Sequence, residues 1–113
     1  MSMRLTDIEL EIMAILWHSK TPMTSAEIVE ASNDRTWKEN SIHVLMKSLT
    51  KKGAVVLSDP KPTSTNIARA YMPALSAVDY MISTIRDILK RSKIGIHIDQ
   101  KMLIKGIIEM EEG

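Results

Sequence analysis

The sequence predicts a mainly α-helical fold with one small β-hairpin. Three Thr-x-x-Glu pairs lie before residue 40, and such pairs cap helix N-termini. Later in the chain, apolar residues recur at i, i+3, i+4 and i+7, which is one stripe of a helix. Two strand candidates flank the segment "DPKPTST", and this arrangement predicts a hairpin with a long loop. Because the chain has nine Met and no Phe, its core must be aliphatic, which also favours helices.

The first three helices are placed by these capping pairs and by one glycine. The pairs are Thr6/Glu9, Thr24/Glu27 and Thr36/Glu39. From them we predict helices over about Asp7–His18, Ser25–Ser32 and Lys38–Lys52. Gly53 follows the third, and a glycine just past the last apolar residue is a typical helix stop.

The rest of the chain supplies the hairpin and two more helices. The strand candidates are "AVVLS" and "NIARAYM", and Pro73 closes the second. Ser76 with Asp79 predicts the start of a fourth helix, and Asp99 predicts the start of a fifth. The segment "KRSKIGIHID" interrupts the helical pattern between them.

Three short helices followed by a β-hairpin have the plan of a winged helix-turn-helix, in which the third helix is offered to DNA. The chain of 113 residues has the size of one ordinary domain with room for an extra arm. We therefore predict a winged helix-turn-helix DNA-binding domain over residues 1–74, followed by a C-terminal helical dimerisation segment over residues 75–113.

The outward face of the third helix carries polar and cationic residues and no acid. One reading is an ordinary solvated helix face; in the predicted architecture, it is a DNA-reading face. Side-chain chemistry then suggests base-edge hydrogen bonds, a thymine-methyl contact, and lysine contacts with guanine or phosphate. A serine near the helix start suits a phosphate. The residues are Asn40, Ser41, His43, Val44, Lys47 and Lys51.

The two C-terminal helices have apolar stripes that one small domain cannot bury entirely. A second copy of the chain is the expected partner, since most soluble oligomers are homo-oligomers. The alternative is that these helices pack back on their own domain. The predicted interface consists of Val78, Met81, Ile82, Ile85, Leu89, Leu103 and Ile107.

Several functional classes receive no support from the sequence. The chain has no Cys, and His18, His43 and His97 lack the spacing of metal ligands, so we expect no metal and no cofactor. We find no nucleophile triad, Gly-rich phosphate loop or paired carboxylates, and we expect no enzyme activity. No apolar run approaches the roughly 18 residues of a membrane span, and the N-terminus has no apolar signal core. We therefore expect a cytoplasmic protein without membrane insertion.

Four segments of the sequence resemble the penicillinase-repressor family, the BlaI/MecI group of winged-helix repressors. They are "LTDIELEIMAILW", "MTSAEIVEA", "RTWKENSIHVLMKSLTKKGAVV" and "YMP", and the match extends from Leu5 to about Pro73. The resemblance implies a dimeric cytoplasmic repressor whose C-terminal helices form the dimer. It also implies a regulatory protease or sensor as a partner.

The resemblance further implies roles for individual positions. Ser41 occupies the family's small hydroxyl position, His43 a polar position, and Lys47 a position of Arg or Lys. Ile67 stands about where the family has a wing arginine, which leaves Arg69 and Lys61 as the candidate wing contacts. Two other functions remain open at this point: a winged-helix module that binds protein, and an RNA-binding winged helix, which would need more exposed aromatic residues.

Overall fold

The computed structural model describes residues 4–62, 67–91 and 98–112. The first two helices keep the predicted boundaries to within one residue, whereas the third begins four residues later than predicted. The helices are α1 (Asp7–His18), α2 (Ser25–Ala31), α3 (Ile42–Lys52), α4 (Ala77–Arg91) and α5 (Gln100–Glu112). The mainly α-helical class with a small antiparallel sheet is therefore confirmed. The predicted break "KRSKIGIHID" lies mostly outside the described residues.

Both of the first two capping boxes form as predicted. At α1, Glu9 N donates to Thr6 Oγ1 at 3.2 Å, and Thr6 N donates to Glu9 Oε1 at 2.8 Å. At α2, Thr24 and Glu27 make the same reciprocal pair at 3.2 and 2.9 Å. Each box satisfies amides that the helix itself leaves unpaired. The serine of the fourth helix also acts as predicted, because Ser76 Oγ accepts from the amide of Asp79.

The third capping box was predicted wrongly. Thr36 Oγ1 donates instead to a carboxylate oxygen of Glu11 on α1, and Glu39 pairs with Arg35 at 3.6 Å. The chain enters α3 through a 3₁₀ turn, Glu39–Ser41, which has no side-chain cap. The other end of the helix is as predicted: Gly53 has φ 80°, and its amide donates to the carbonyls of the last turn. The left-handed conformation is open to glycine without steric cost.

The described strands form a more elaborate wing than a plain hairpin. β5 (Ala70–Pro73) lies between β2 (Val55–Leu57) and β1 (Met23–Thr24), antiparallel to both. The strand β1 was not predicted. Farther out, β3 (Lys61–Pro62) pairs with β4 (Ile67–Ala68), so part of the expected loop is a second ribbon.

The core lies between the first three helices and the base of the wing. It is aliphatic, as predicted, with one aromatic ring from Trp37, and Trp17 packs against it from the side. Burial of these side chains is the main favourable term in folding such a domain. Its buried members are Ile12, Met13, Leu16, Ile28, Trp37, Ile42, Met46, Leu49, Ala54 and Val55.

A buried carboxylate joins the start of α1 to the end of α3. Glu9 is only 2% exposed. Its Oε1 lies 2.5 Å from Lys52 Nζ, and its Oε2 accepts from Ser48 Oγ at 2.7 Å. Burial alone would raise the pKa of Glu9, but the hydrogen bonds from Lys52, Thr6 and Ser48, together with the charge of Lys52, lower it overall.

The helix α4 is fixed to α1 at its N-terminal end. Trp17 Nε1 donates to the carbonyl of Leu75 at 2.9 Å, just before α4 begins. The ring of Tyr80 is buried 5.9 Å from the ring of Trp17, and its hydroxyl accepts from the amide of Leu5 at 3.3 Å. The start of the C-terminal arm is therefore rigidly attached to the winged domain.

We expect Glu9→Ala to lower the free energy of unfolding by about 2–4 kcal/mol, because it removes a buried, charge-assisted hydrogen-bond network. Urea denaturation followed by circular dichroism measures this loss. The control Asp7→Ala removes an exposed carboxylate from the same helical turn and should cost less than about 1 kcal/mol. Equal losses in the two variants would contradict the role of the network.

The network should also give a pH dependence of known sign. Since folding lowers the pKa of Glu9 below its ordinary value of 4.5, its ionised form stabilises the fold fully above that value. The stabilisation is lost as the pH falls through the lowered pKa. The difference in stability between wild type and Glu9→Gln should therefore shrink on acidification below pH 4.5.

Candidate nucleic-acid interface

The helix α3 has one buried face and one exposed face. Ile42, Met46 and Leu49 anchor it in the core. The predicted reading residues lie on the opposite side, where they are exposed, and Ser41 in the preceding 3₁₀ turn is half-buried. Val44 is 71% exposed at the centre of this face. The exposed members are Asn40, His43, Val44, Lys47 and Lys51.

A cleft of about 550 Å³ separates α3 from the wing. It brings together four residues that were predicted from the sequence and three that were not. The first four are His43, Lys47, Lys51 and Arg69; the others are Thr50, Leu57 and Tyr71. Among the described residues that line the cleft none is acidic, so it presents lysine and arginine to an anion such as a backbone phosphate.

Two of the three residues that sequence reasoning missed follow from regular spacings. Thr50 lies three residues after Lys47 on the same side of α3, and its hydroxyl donates to the carbonyl of Met46 at 2.8 Å. Tyr71 follows Arg69 by two residues, and Leu57 is its cross-strand partner in the β2–β5 pair. Alternation along a strand would have placed Tyr71 on the same face as Arg69. The register of the wing, which the sequence did not reveal, was needed to add Leu57.

A second groove, of about 670 Å³, lies between α2 and the start of α3. Asn40 and His43 line it together with residues of α2, and His43 also lines the cleft beside the wing. His43 therefore stands between the two concave surfaces. Glu39 is the acidic side chain among the described lining residues, and its carboxylate is paired with Arg35 at 3.6 Å.

The structure places Lys61 apart from the other predicted contacts. Its ammonium lies 3.1 and 3.3 Å from the two carboxylate oxygens of Glu27, and 3.0 Å from the carbonyl of Pro22. Three donors therefore meet three acceptors within the chain. The pKa of Glu27 is lowered first by the hydrogen bond from the amide of Thr24 and then by Lys61. We therefore leave Lys61 out of the proposed set of contacts.

The predicted dimerisation residues divide into exposed and half-buried groups. Val78, Met81 and Ile82 on α4 are exposed, and Ile107 on α5 is exposed as well. Their helical neighbours Ile85, Leu89 and Leu103 are half-buried. An exposed apolar surface of this kind is typical of an interaction site.

The described residues give no sign of a metal centre or a membrane span. Within them, no three His, Asp or Glu side chains come close enough together to hold a metal ion. No helix in the part of the chain that the structure describes is long and apolar enough to cross a membrane.

A family model and a curated protein match the chain by sequence. The model of the family described as Penicillinase repressor matches residues 5–103. The Penicillinase repressor of Bacillus licheniformis is 35% identical over 52 residues, which are 46% of this chain and 41% of that protein. The chain thus matches about two fifths of the length of this curated relative. The family is one of repressors, which agrees with the expectation that the chain is not an enzyme.

Two solved structures are similar to the chain at low sequence identity. A PadR-family transcription regulator from Clostridium difficile is 17% identical, with a TM-score of 0.51, over 96% of this chain and 100% of that one. The ferric uptake regulator Fur of Helicobacter pylori is 20% identical, with a TM-score of 0.48, over 63% of this chain and 46% of that one. At this identity the likeness to the PadR-family regulator shows the fold alone, and it agrees with the predicted winged-helix class.

Proposed function

The chain belongs to the penicillinase repressor family, and we propose that it is a sequence-specific DNA-binding transcriptional repressor. In this proposal it acts in the cytoplasm as a homodimer on a pseudo-palindromic operator. The observation that carries the proposal is the exposed face of α3, which is polar and cationic although the rest of the helix is anchored in the core.

The dimensions and chemistry of α3 suit the major groove of DNA. The groove admits one α-helix, and each base pair presents a distinct pattern of donors and acceptors there. Asn40 and His43 supply hydrogen-bonding groups at the N-terminal end of the helix, where recognition helices contact bases. The exposed methyl groups of Val44 suit the methyl group of thymine, and they have no evident role in folding because they lie outside the core.

The cleft beside the wing suits the sugar-phosphate backbone. Lys51 on α3 and Arg69 in the wing both line it. Phosphate contacts fix the register of a protein on the duplex, whereas base contacts specify the sequence. We assign Lys51, Arg69 and Ser41 to phosphates, and Asn40, His43 and Val44 to bases. Lys47 lies within reach of either, since it lines the cleft one turn after His43.

The division into a DNA-binding domain (1–74) and a dimerisation segment (75–113) is part of the proposal. Val78 is 67% exposed and Ile82 is 44% exposed, although both are large apolar residues. A second copy of the same helices would remove them from water. Release from DNA through a regulatory protease or sensor, without a bound cofactor, follows from the family alone.

A winged-helix adaptor that binds protein is the second candidate. The exposed apolar surface of α4 and α5 is compatible with it. An adaptor has no need, however, to keep acids out of the cleft between α3 and the wing. The cationic lining of that cleft therefore favours nucleic acid over protein.

Replacing Lys51 with Met should weaken binding to all DNA sequences alike. Because one phosphate contact would be lost, the slope of log K against log salt should fall in magnitude by about one unit. Fluorescence titrations at several salt concentrations measure this slope. Lys20→Met, which removes an exposed lysine that lines neither groove, serves as the control and should leave the slope unchanged.

Replacing Asn40 or His43 with Ala should weaken binding to the operator by about 1–3 kcal/mol and leave binding to scrambled duplex nearly unchanged. The operator is first selected from a random duplex library with wild-type protein. Asn33→Ala is the matched control, since Asn33 is exposed but lines neither groove. If Asn40→Ala, His43→Ala and Lys47→Ala all bind the operator with wild-type affinity, α3 is not the helix that reads DNA, and the adaptor function is favoured instead.

Replacing Ile82 with Asp should convert the dimer into a monomer, because a charge would lie in an apolar seam. Ile82 is already partly exposed in a single chain, so the fold of the subunit should survive. Light scattering at micromolar concentration measures the mass. Lys90→Asp introduces the same charge off the stripe and should remain dimeric; a monomeric wild type would contradict the proposal.

A further inference from the structure

The outer ribbon of the wing, β3 with β4, is linked to the helix-turn-helix by the ammonium group of Lys61. Lys61 lies in β3, and its ammonium contacts Glu27 in the first turn of α2 and the carbonyl of Pro22 just before β1. These partners lie 34 and 39 residues away along the chain. The contact therefore joins an outlying element to the capped N-terminus of α2.

The anchored ribbon leads directly to the cation in the cleft. Lys61 is the cross-strand partner of Ala68, and the residue after Ala68 is Arg69. Arg69 alone separates β4 from β5, and it lines the same cleft as Lys51. A rotation of the β3–β4 ribbon about its junction with β5 would therefore displace the backbone of Arg69.

We propose that the Glu27–Lys61 pair is a positioning device: it orients the wing so that Arg69 faces the cleft, although neither Glu27 nor Lys61 touches DNA. This inference rests on the proposed function. It assigns Lys61 the opposite role to a phosphate contact, because all three of its ammonium donors have acceptors inside the chain. It also gives a conformational role in DNA binding to an acidic residue.

The pair has the features of a persistent contact. The side chains of Lys61 and Glu27 are 33% and 44% exposed, and Glu27 Oε1 also accepts from the amide of Thr24. Because the carboxylate is held by the capping box whether or not Lys61 is present, only the lysine side chain loses rotamer freedom when the pair forms. In an exposed pair between two free side chains, both side chains would lose rotamer freedom.

The direction in which one substitution changes DNA affinity distinguishes the proposal from simple electrostatics. Glu27→Gln removes a negative charge, which by itself would strengthen binding to a polyanion, and Gln preserves the capping box. The proposal instead expects Glu27→Gln to weaken binding at least threefold, because the wing is released. The matched control is Glu30→Gln on the same helix, whose carboxylate makes no ion pair within the described residues; it should bind as wild type or more tightly.

A double-mutant cycle separates positioning from direct contact at Lys61. If Lys61 acts through Arg69, Lys61→Met should weaken binding in the wild-type background and have no further effect in the Arg69→Ala background. A further loss there, with the salt slope falling by about another unit, would identify Lys61 as a phosphate contact and overturn the proposal. Binding by Glu27→Gln as tight as by Glu30→Gln would overturn it as well.

A measurement without DNA keeps this inference separate from the proposed function. Amide hydrogen exchange at Ile67 and Ala68 should be faster in Glu27→Gln than in Glu30→Gln, because the ribbon is no longer anchored. Unchanged exchange would overturn the positioning role, even if DNA binds as proposed. A wild-type protein that binds no duplex, but whose ribbon is released by Glu27→Gln, would overturn the proposed function and leave the anchor established.

Discussion

The position of α3 depends on the buried carboxylate of Glu9. This group caps α1 through Thr6 and, from the same place, holds Ser48 and Lys52 near the end of α3. The apolar stripe of Ile42, Met46 and Leu49 decides which side of α3 is buried, but hydrophobic contact is not directional and sets the position of the helix along α1 less sharply. Hydrogen bonds to a buried carboxylate are directional, and a misplaced partner would leave a buried charge unsatisfied. The network therefore fixes the register of α3 against α1.

In the wing, as in α3, some residues attach the element to the domain and others line the cleft. β2 and β5 belong to the base of the domain, with Val55 in the core and Tyr71 packed against it. The outer ribbon has too few residues for a core of its own, and it is attached by Lys61 to the cap of α2. Polar contacts thus fix the orientation at both sides of the cleft, and apolar contacts supply the stability. The three cations that line the cleft, Lys47, Lys51 and Arg69, form no ion pair with an acidic residue within the described part of the chain.

Sequence reasoning succeeded where the determinants are local. The caps of α1 and α2, the serine before α4 and the glycine after α3 all act within a few residues of their partners, and all four were predicted. Sequence reasoning failed where a residue far away in the chain binds the side chain that a local partner was expected to bind. The hydroxyl of Thr36 could cap the amide of Glu39, but it donates instead to a carboxylate oxygen of Glu11 on α1, which lies 25 residues earlier in the chain. Likewise the pairing of Lys61 with Glu27 spans 34 residues, and β1 has only two residues that carry no pattern of their own.

The joint between the winged domain and the arm has a consequence for the proposed dimer. Trp17 holds the carbonyl of Leu75, and Tyr80 is buried against Trp17 one turn into α4. Since both contacts are made by α1, the direction in which α4 leaves the domain is set by the same helix whose Glu9 orients α3. In a symmetric dimer formed through α4 and α5, the two reading faces would then be held at a fixed spacing and angle. A flexible joint would let the two domains adjust to many half-site spacings, whereas a rigid one favours half-sites whose spacing matches the dimer, so in the proposed dimer this joint would contribute to operator selectivity without touching a base.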